Sequence, residues 1–209
     1  EGETKYTSLQ EAYIAATDGQ TITLLKNITL GEKFVIEKSI TLDGNNKTLT
    51  YTGTDRAIDV PNNANANIDV TVKNLTVVAT TANRGLNYNE NGVFNVEGVI
   101  VTIGEDVDGY AINFPGMADN AQVTIKDSKL TSRNPLNIWG ENMVINVYNS
   151  EIISVDNSTT YDYAAIQLNN EIPTVGPNGA IANGTVVNVY GGTITALNDK
   201  DEPSNVVAN

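Results

Sequence analysis

The sequence predicts an all-β fold of stacked coils, a solenoid of about six or seven turns with a short amphipathic helix over its first coil. Three observations predict it. A ten-residue phrase is written four times, at 70–79 (VTVKNLTVVA), 123–132 (VTIKDSKLTS), 145–154 (INVYNSEIIS) and 187–196 (VNVYGGTITA). A second strand phrase recurs upstream of these copies. Only loop-like stretches rich in Asn, Thr and Gly separate the units.

Within the ten-residue phrase Val70/Val72, Val123/Ile125, Ile145/Val147 and Val187/Val189 alternate with polar residues, the period-2 pattern of a strand with one buried face. The pairs Asn74-Leu75, Asp127-Ser128, Asn149-Ser150 and Gly191-Gly192 then mark a bend, because Asn, Asp and Gly accept left-handed backbone angles. Val77, Leu130, Ile152 and Ile194 begin a second short strand in register. A fifth, looser copy is read at 101–110 (VTIGEDVDGY). The upstream phrase is read in AIDV (57–60), VFNV (93–96), AINF (111–114), PLNI (135–138) and AIQL (165–168). Excursions near 80–92, 155–164 and 169–184 are expected to be loops on a constant frame. An antiparallel sandwich gives no reason for one in-register phrase to repeat. Residues 1–209 are therefore read as one domain, with coils over 20–209 and a rod roughly 30 Å long.

Residues 7–19 (TSLQEAYIAATDG) place Leu9, Ala12, Tyr13 and Ala16 on one helical stripe. Thr7 or Ser8 can cap the start, with Gln10 or Glu11 three residues on, and Gly19 is the expected stop. A helix with one apolar face suits the open core of a first coil. SNVVAN (204–209) is expected to begin another strand, and the start at Glu1 is compatible with a removed leader.

Composition narrows the function. The chain has 209 residues, 12 Lys and Arg against 25 Asp and Glu, and a net charge of −13. It repels phosphate backbones, so nucleic acid is not an expected partner, and it repels acidic glycans unless a cation bridges them. Cys and His are absent, which removes thiol chemistry and the commonest general base and metal ligand. No apolar run reaches the roughly 20 residues of a membrane span, so no membrane insertion is expected.

The phrase SLQEAYIAATDGQTITLLKNITL, continued by KSITLDGNNKTLTY and coils of VxVxNSxIxS type, resembles the pectin-lyase-like proteins over essentially the whole chain. More narrowly it is similar to non-catalytic surface proteins and adhesins of gut bacteria built on that frame. The resemblance implies a single-stranded right-handed parallel β-helix, secreted or displayed at the cell surface, with a glycan or a host or cell-surface protein as partner. The hydrolases of the family carry an adjacent Asp pair, a His and an Arg-x-Lys motif, none of which occurs here. Its lyases hold calcium on strand carboxylates beside an Arg or Lys, but Arg56, Arg84 and Arg133 lie in or beside loops with no such cluster. A non-enzymatic role without a cofactor is expected; the alternative is a calcium-dependent or degenerate polysaccharide lyase or hydrolase.

Candidate ligand-binding residues follow from the coil frame. Asp59, Asn95, Asn113, Asn137 and Gln167 are expected to stack as an outward amide ladder. Such a ladder either stabilises stacked coils by itself or offers neutral amides to sugar hydroxyls. Tyr148 and Tyr190 share a column that begins with Lys73 and Lys126. Trp139 either packs under a loop or joins Tyr161, Tyr163 and the two stacked tyrosines as sugar-stacking aromatics. The acidic stretches LNDKDE (197–202), DNSTTYD (156–162) and GEDVDG (104–109) lack the spacing of a calcium loop, so no metal site is assigned.

Overall fold

Each coil turns where the sequence places Asn, Asp or Gly. In the computed structural model, which describes residues 4–63, 67–156, 163–169, 181–198 and 207–208, Asn74, Asp127, Asn149 and Gly191 all take positive φ, at 49°, 50°, 46° and 86°. Gly98 holds the same place in one further coil, at 61°. Asn, Asp and glycine tolerate this region, so the bend falls at the same place in these coils, widening to two residues at Asn45-Asn46 and Gly191-Gly192.

Among the described residues the protein is all-β apart from one helix, and its paired strands are parallel. They form two sheets that the chain visits in turn, with two successive short strands of the ten-stranded sheet at 21–30, 93–103 and 122–132. One is seven-stranded: Phe34–Val35, Arg56–Val60, Arg84–Tyr88, Tyr110–Phe114, Asn134–Ile138, Ile166–Leu168 and Val207–Ala208 stack in chain order. The last of these falls within the expected C-terminal strand. The ten-stranded sheet contains Ile40–Tyr51, Val70–Ala79, Val93–Glu97, Gln122–Lys126, Val144–Asp156 and Val186–Asn198, together with the short strands Thr21–Thr23, Ile28–Leu30, Ile100–Ile103 and Lys129–Ser132. The core lies between the sheets. Ile58, Leu86, Ile112, Leu136 and Ile166 stack inward from one, and Leu42, Val72, Val96, Ile125 and Val147 from the other.

Two readings of the repeat change. VFNV pairs Phe94 with Val70 and Val123, so it belongs to the ten-stranded sheet. Its place in the seven-stranded sheet is taken by Arg84–Tyr88, inside the stretch expected to be a loop at 80–92. Val101 pairs with Val77 and Leu130, so 101–103 is the second half of a coil phrase that begins at Phe94. Both slips have one cause: alternation shows which residues face the core but not which sheet they line. Gly85 explains why the missed strand looks loop-like. A Cβ there would stand 2.4 Å from Val101 Cγ1 and 2.8 Å from the Ala111 carbonyl oxygen, so this inward position has no room for a side chain.

The helix runs over Leu9–Ala15, shorter than expected at both ends. Ser8 is the N-cap, its Oγ accepting from Glu11 N–H at 3.2 Å, and Glu11 accepts in turn from Thr7 N–H at 3.1 Å. Lys38 Nζ ends it, donating to the carbonyls of Tyr13 at 2.9 Å and Ala16 at 2.7 Å. That cation meets the negative end of the helix dipole four residues before Gly19. Leu9, Tyr13 and Ala16 are buried, and the Tyr13 ring meets Phe34 edge-on at 5.3 Å. The helix thus covers the first coil as its stripe predicts.

Candidate functional site

The outer side of the seven-stranded sheet carries three columns of side chains. The middle one is Asp59, Asn87, Asn113, Asn137 and Gln167, one residue beyond the inward Ile58, Leu86, Ile112, Leu136 and Ile166. Asn87 therefore occupies the rung expected of Asn95. Asn95 lies on the other sheet, where its Nδ2 donates to Thr71 Oγ1 at 3.3 Å. Nor is the ladder solvated: Asp59, Asn87, Asn113 and Asn137 are only 3, 3, 2 and 2 % exposed.

These groups satisfy one another. Asn169 Nδ2 donates to Asn137 Oδ1 at 2.8 Å, and Asn137 to Asn113, Asn113 to Asn87 and Asn87 to Asp59 follow at 2.7 Å each. Asp59 sets the direction. An ionised carboxylate has no N–H to give, so Asn87 must present its Nδ2, and every later amide follows suit. Such a one-way chain in a low dielectric strengthens each of its members. The negative charge at its end is met by Lys33 Nζ at 3.1 Å and Arg56 Nη1 at 3.4 Å.

The flanking columns rise as walls. Arg56, Arg84, Tyr110 and Asn134 stand in register along one side. Pro61, Asn89, Pro115 and Trp139 follow the last strand residues along the other. Backbone bonds from Asn89 N–H to the Val60 carbonyl at 2.9 Å and from Trp139 N–H to the Phe114 carbonyl at 2.8 Å carry the coil ladder past the strands and seat this wall. Together the columns enclose a groove of about 370 Å³. Trp139 is half-buried in it.

The basic wall is unevenly neutralised. Arg56 faces Asp59 and, at 3.7 Å, Asp55. Arg84 donates to Asn83 Oδ1 at 2.9 Å, and its guanidinium lies 5.3 Å from the centre of the Tyr110 ring. Among the described residues no carboxylate lies within 4 Å of it. Burial, and then the neighbouring Arg56 charge, pull the Arg84 pKa below the usual guanidinium range. The Nε groups of both arginines are buried and have no hydrogen-bond partner.

Of the residues expected to bind a ligand, Asn113, Asn137 and Trp139 come together in this groove. Gln167 continues the ladder and accepts from Asn134 Nδ2. Tyr148 and Tyr190 pair and stack as expected, with ring centres 4.8 Å apart and planes 13° apart, but on the ten-stranded sheet and outside the groove. Tyr163 is 9 % exposed and so not an accessible aromatic. Tyr161 lies outside the described residues. In GEDVDG, Asp108 and the Glu105 carbonyl accept from Arg133. No group of three or more acidic residues able to hold a metal occurs among the described residues.

Sequence reasoning missed Arg56, Arg84, Tyr110 and the proline wall. A signal was present: RAIDV, RGLNY, YAINF and NPLNI align over five positions, with Arg, Arg, Tyr and Asn leading and Pro, Asn, Pro and Trp following. Compared with protein-family models, curated proteins and solved structures, the chain matches none, so the groove itself is what a functional reading has to rest on.

Proposed function

We propose that the protein is a glycan-binding module of adhesion or display type, a right-handed parallel β-helix of the pectin-lyase-like kind, secreted or held at the cell surface. The observation that carries this reading is the groove over the amide ladder. Its volume of about 370 Å³ falls in the range of small-ligand sites. Its floor is spent on internal hydrogen bonds, so recognition falls to the walls. There Trp139, Tyr110, Pro61 and Pro115 offer apolar faces with polar edges beside them, the combination that suits a sugar ring. A rigid floor also fixes the spacing of the walls before any ligand arrives, which lowers the ordering cost of binding. The reading is one of binding rather than catalysis: the groove's carboxylate, Asp59, is held by Lys33, Arg56 and Asn87.

Affinity electrophoresis through gels containing a panel of neutral and acidic polysaccharides, with and without calcium, tests this. Retardation by an unshortened glycan, lost in Trp139→Ala and kept in Tyr148→Ala, is the expected result. Calcium-dependent shortening of the glycan, or retardation indifferent to Trp139, overturns it.

A further inference from the structure

The two ends of the stack are finished differently. At the first coil the helix buries Leu9, Tyr13 and Ala16 over the core. At the other end Val186–Asn198 pairs with Val144–Asp156 along one edge, and among the described residues no strand pairs with its outer edge. Val207–Ala208 adds a rung only on the opposite sheet, over Ile166 and Gln167. Inward residues of the last described coil are therefore uncovered. Val189 is 43 % exposed where Val147, its neighbour in register, is 1 % exposed. Val187 and Ile194 are half-buried where Ile145 and Ile152 are fully buried. With Ile166 and Leu168 they line an apolar opening of about 340 Å³.

This edge lacks the usual protection. Charged residues or proline blunt most exposed strand edges and keep other strands from adding to them. Ile40–Tyr51, Val70–Ala79 and Val144–Asp156 each carry Lys, Asp or Glu, whereas Val186–Asn198 carries no charged residue and no proline in a chain of net charge −13. Its free backbone groups are also self-complementary. Val186 N–H turns back to the Met143 carbonyl at 2.9 Å, so by alternation the N–H and C=O groups of Val187 and Val189 point away from the stack. Beyond the bend Thr193 stands over Glu151, whose N–H turns back to the Ser128 carbonyl at 2.8 Å, so Ile194 and Ala196 point away in the same sense. A two-fold axis through the Gly191-Gly192 bend sets Val187 against Ala196 and Val189 against Ile194 of a second copy. In that register inward apolar residues meet inward apolar residues, and both members of each pair present free N–H and C=O groups, as antiparallel pairing requires.

We propose that the open end is a homodimer interface, at which two copies join tail to tail through Val186–Asn198 with about eight backbone hydrogen bonds across the two-fold. The pairing covers Val189 and Ile194 and joins two grooves in one particle. It stands whether or not the groove takes a glycan.

Sedimentation velocity at concentrations up to about 0.1 mM tests it. A reversible species of twice the single-chain mass is expected, favoured by salt because screening weakens the repulsion between two chains of −13. Val189→Lys, which puts a charge on the uncovered position, abolishes it. The register has its own test. The chain has no cysteine, and the two-fold sets Asn188 of one copy against Thr195 of the other in a close pair without backbone bonds, the spacing a disulfide spans. Oxidation by diamide of Asn188→Cys mixed with Thr195→Cys gives a cross-linked dimer that neither variant gives alone. A single-chain mass throughout the range, a dimer that survives Val189→Lys, or cross-linking indifferent to mixing overturns the proposal. If Val189→Lys does not fold, the mixed cysteine variants decide.

Discussion

Two columns of amides run along this molecule, and they differ in what covers them. On the seven-stranded sheet Asp59, Asn87, Asn113 and Asn137 lie under walls and are almost wholly buried. On the ten-stranded sheet Thr41, Thr71, Asn95, Thr124, Asn146 and Asn188 stack just as regularly. There Asn188 Nδ2 donates to Asn146 Oδ1 at 3.0 Å, half-buried. Asn146 and Asn188 make the same amide-to-amide bond as the covered column, and what differs at that pair is access to water. Burial raises the stakes of a hydrogen bond by making its loss uncompensated, so the covered column sets the frame and the open one decorates it.

Asp59→Asn attacks the covered column where it is most exposed to failure. It removes the charge that Lys33 and Arg56 face and turns an obligate acceptor into an amide that can also donate, so nothing fixes the direction of the amides behind it. A loss of about 3 kcal/mol is expected in chemical denaturation, and a loss under about 1 kcal/mol means that the ladder can reverse its direction at little cost. Asn113→Ala against Asn146→Ala is the direct contrast. The first strands a donor and an acceptor in a dry floor, and about 2 kcal/mol is expected. The second leaves Asn188 free to meet water, and less than about 0.5 kcal/mol is expected. Equal costs end the comparison.

The smallest effect tests the same principle on a neighbouring carboxyl. Glu90 is fully buried, its Oε1 accepts from Asn63 N–H, and its Oε2 has no hydrogen-bond partner. Burial pushes its pKa above the usual 4.5, against the lowering effect of the Asn63 bond. A carboxyl raised in the folded state favours folding most at low pH, and that contribution is lost as pH rises through the raised value. Glu90→Gln should therefore melt above the unmodified protein near neutral pH, with the gap closing as pH falls toward 4.5. A gap that widens on acidification contradicts the burial argument.

Much of this frame was legible in the sequence, for identifiable reasons. The bends at Asn74, Asp127, Asn149 and Gly191 could be read because few residues tolerate their backbone angles. The helix over the first coil could be read because Leu9, Tyr13 and Ala16 keep one stripe. The groove was harder. VFNV and RGLNY both place Asn between apolar neighbours, and only strand pairing assigns them to different sheets. Arg84 and Gly85 made the true groove strand look like a loop, although one faces the groove and the other must fit against Val101. The burial of Asn113 and Asn137 depends on walls contributed by other columns, and no single coil contains that information.

The alignment of the interstrand hydrogen bonds has a mechanical consequence. They run from coil to coil, so a pull along the stack loads one rung at a time and peels the coils in sequence, whereas a pull along the strands loads many bonds together in shear. A tether that hangs a load from the last coil would extend by successive small yields, and one attached across a coil would hold until many bonds fail at once.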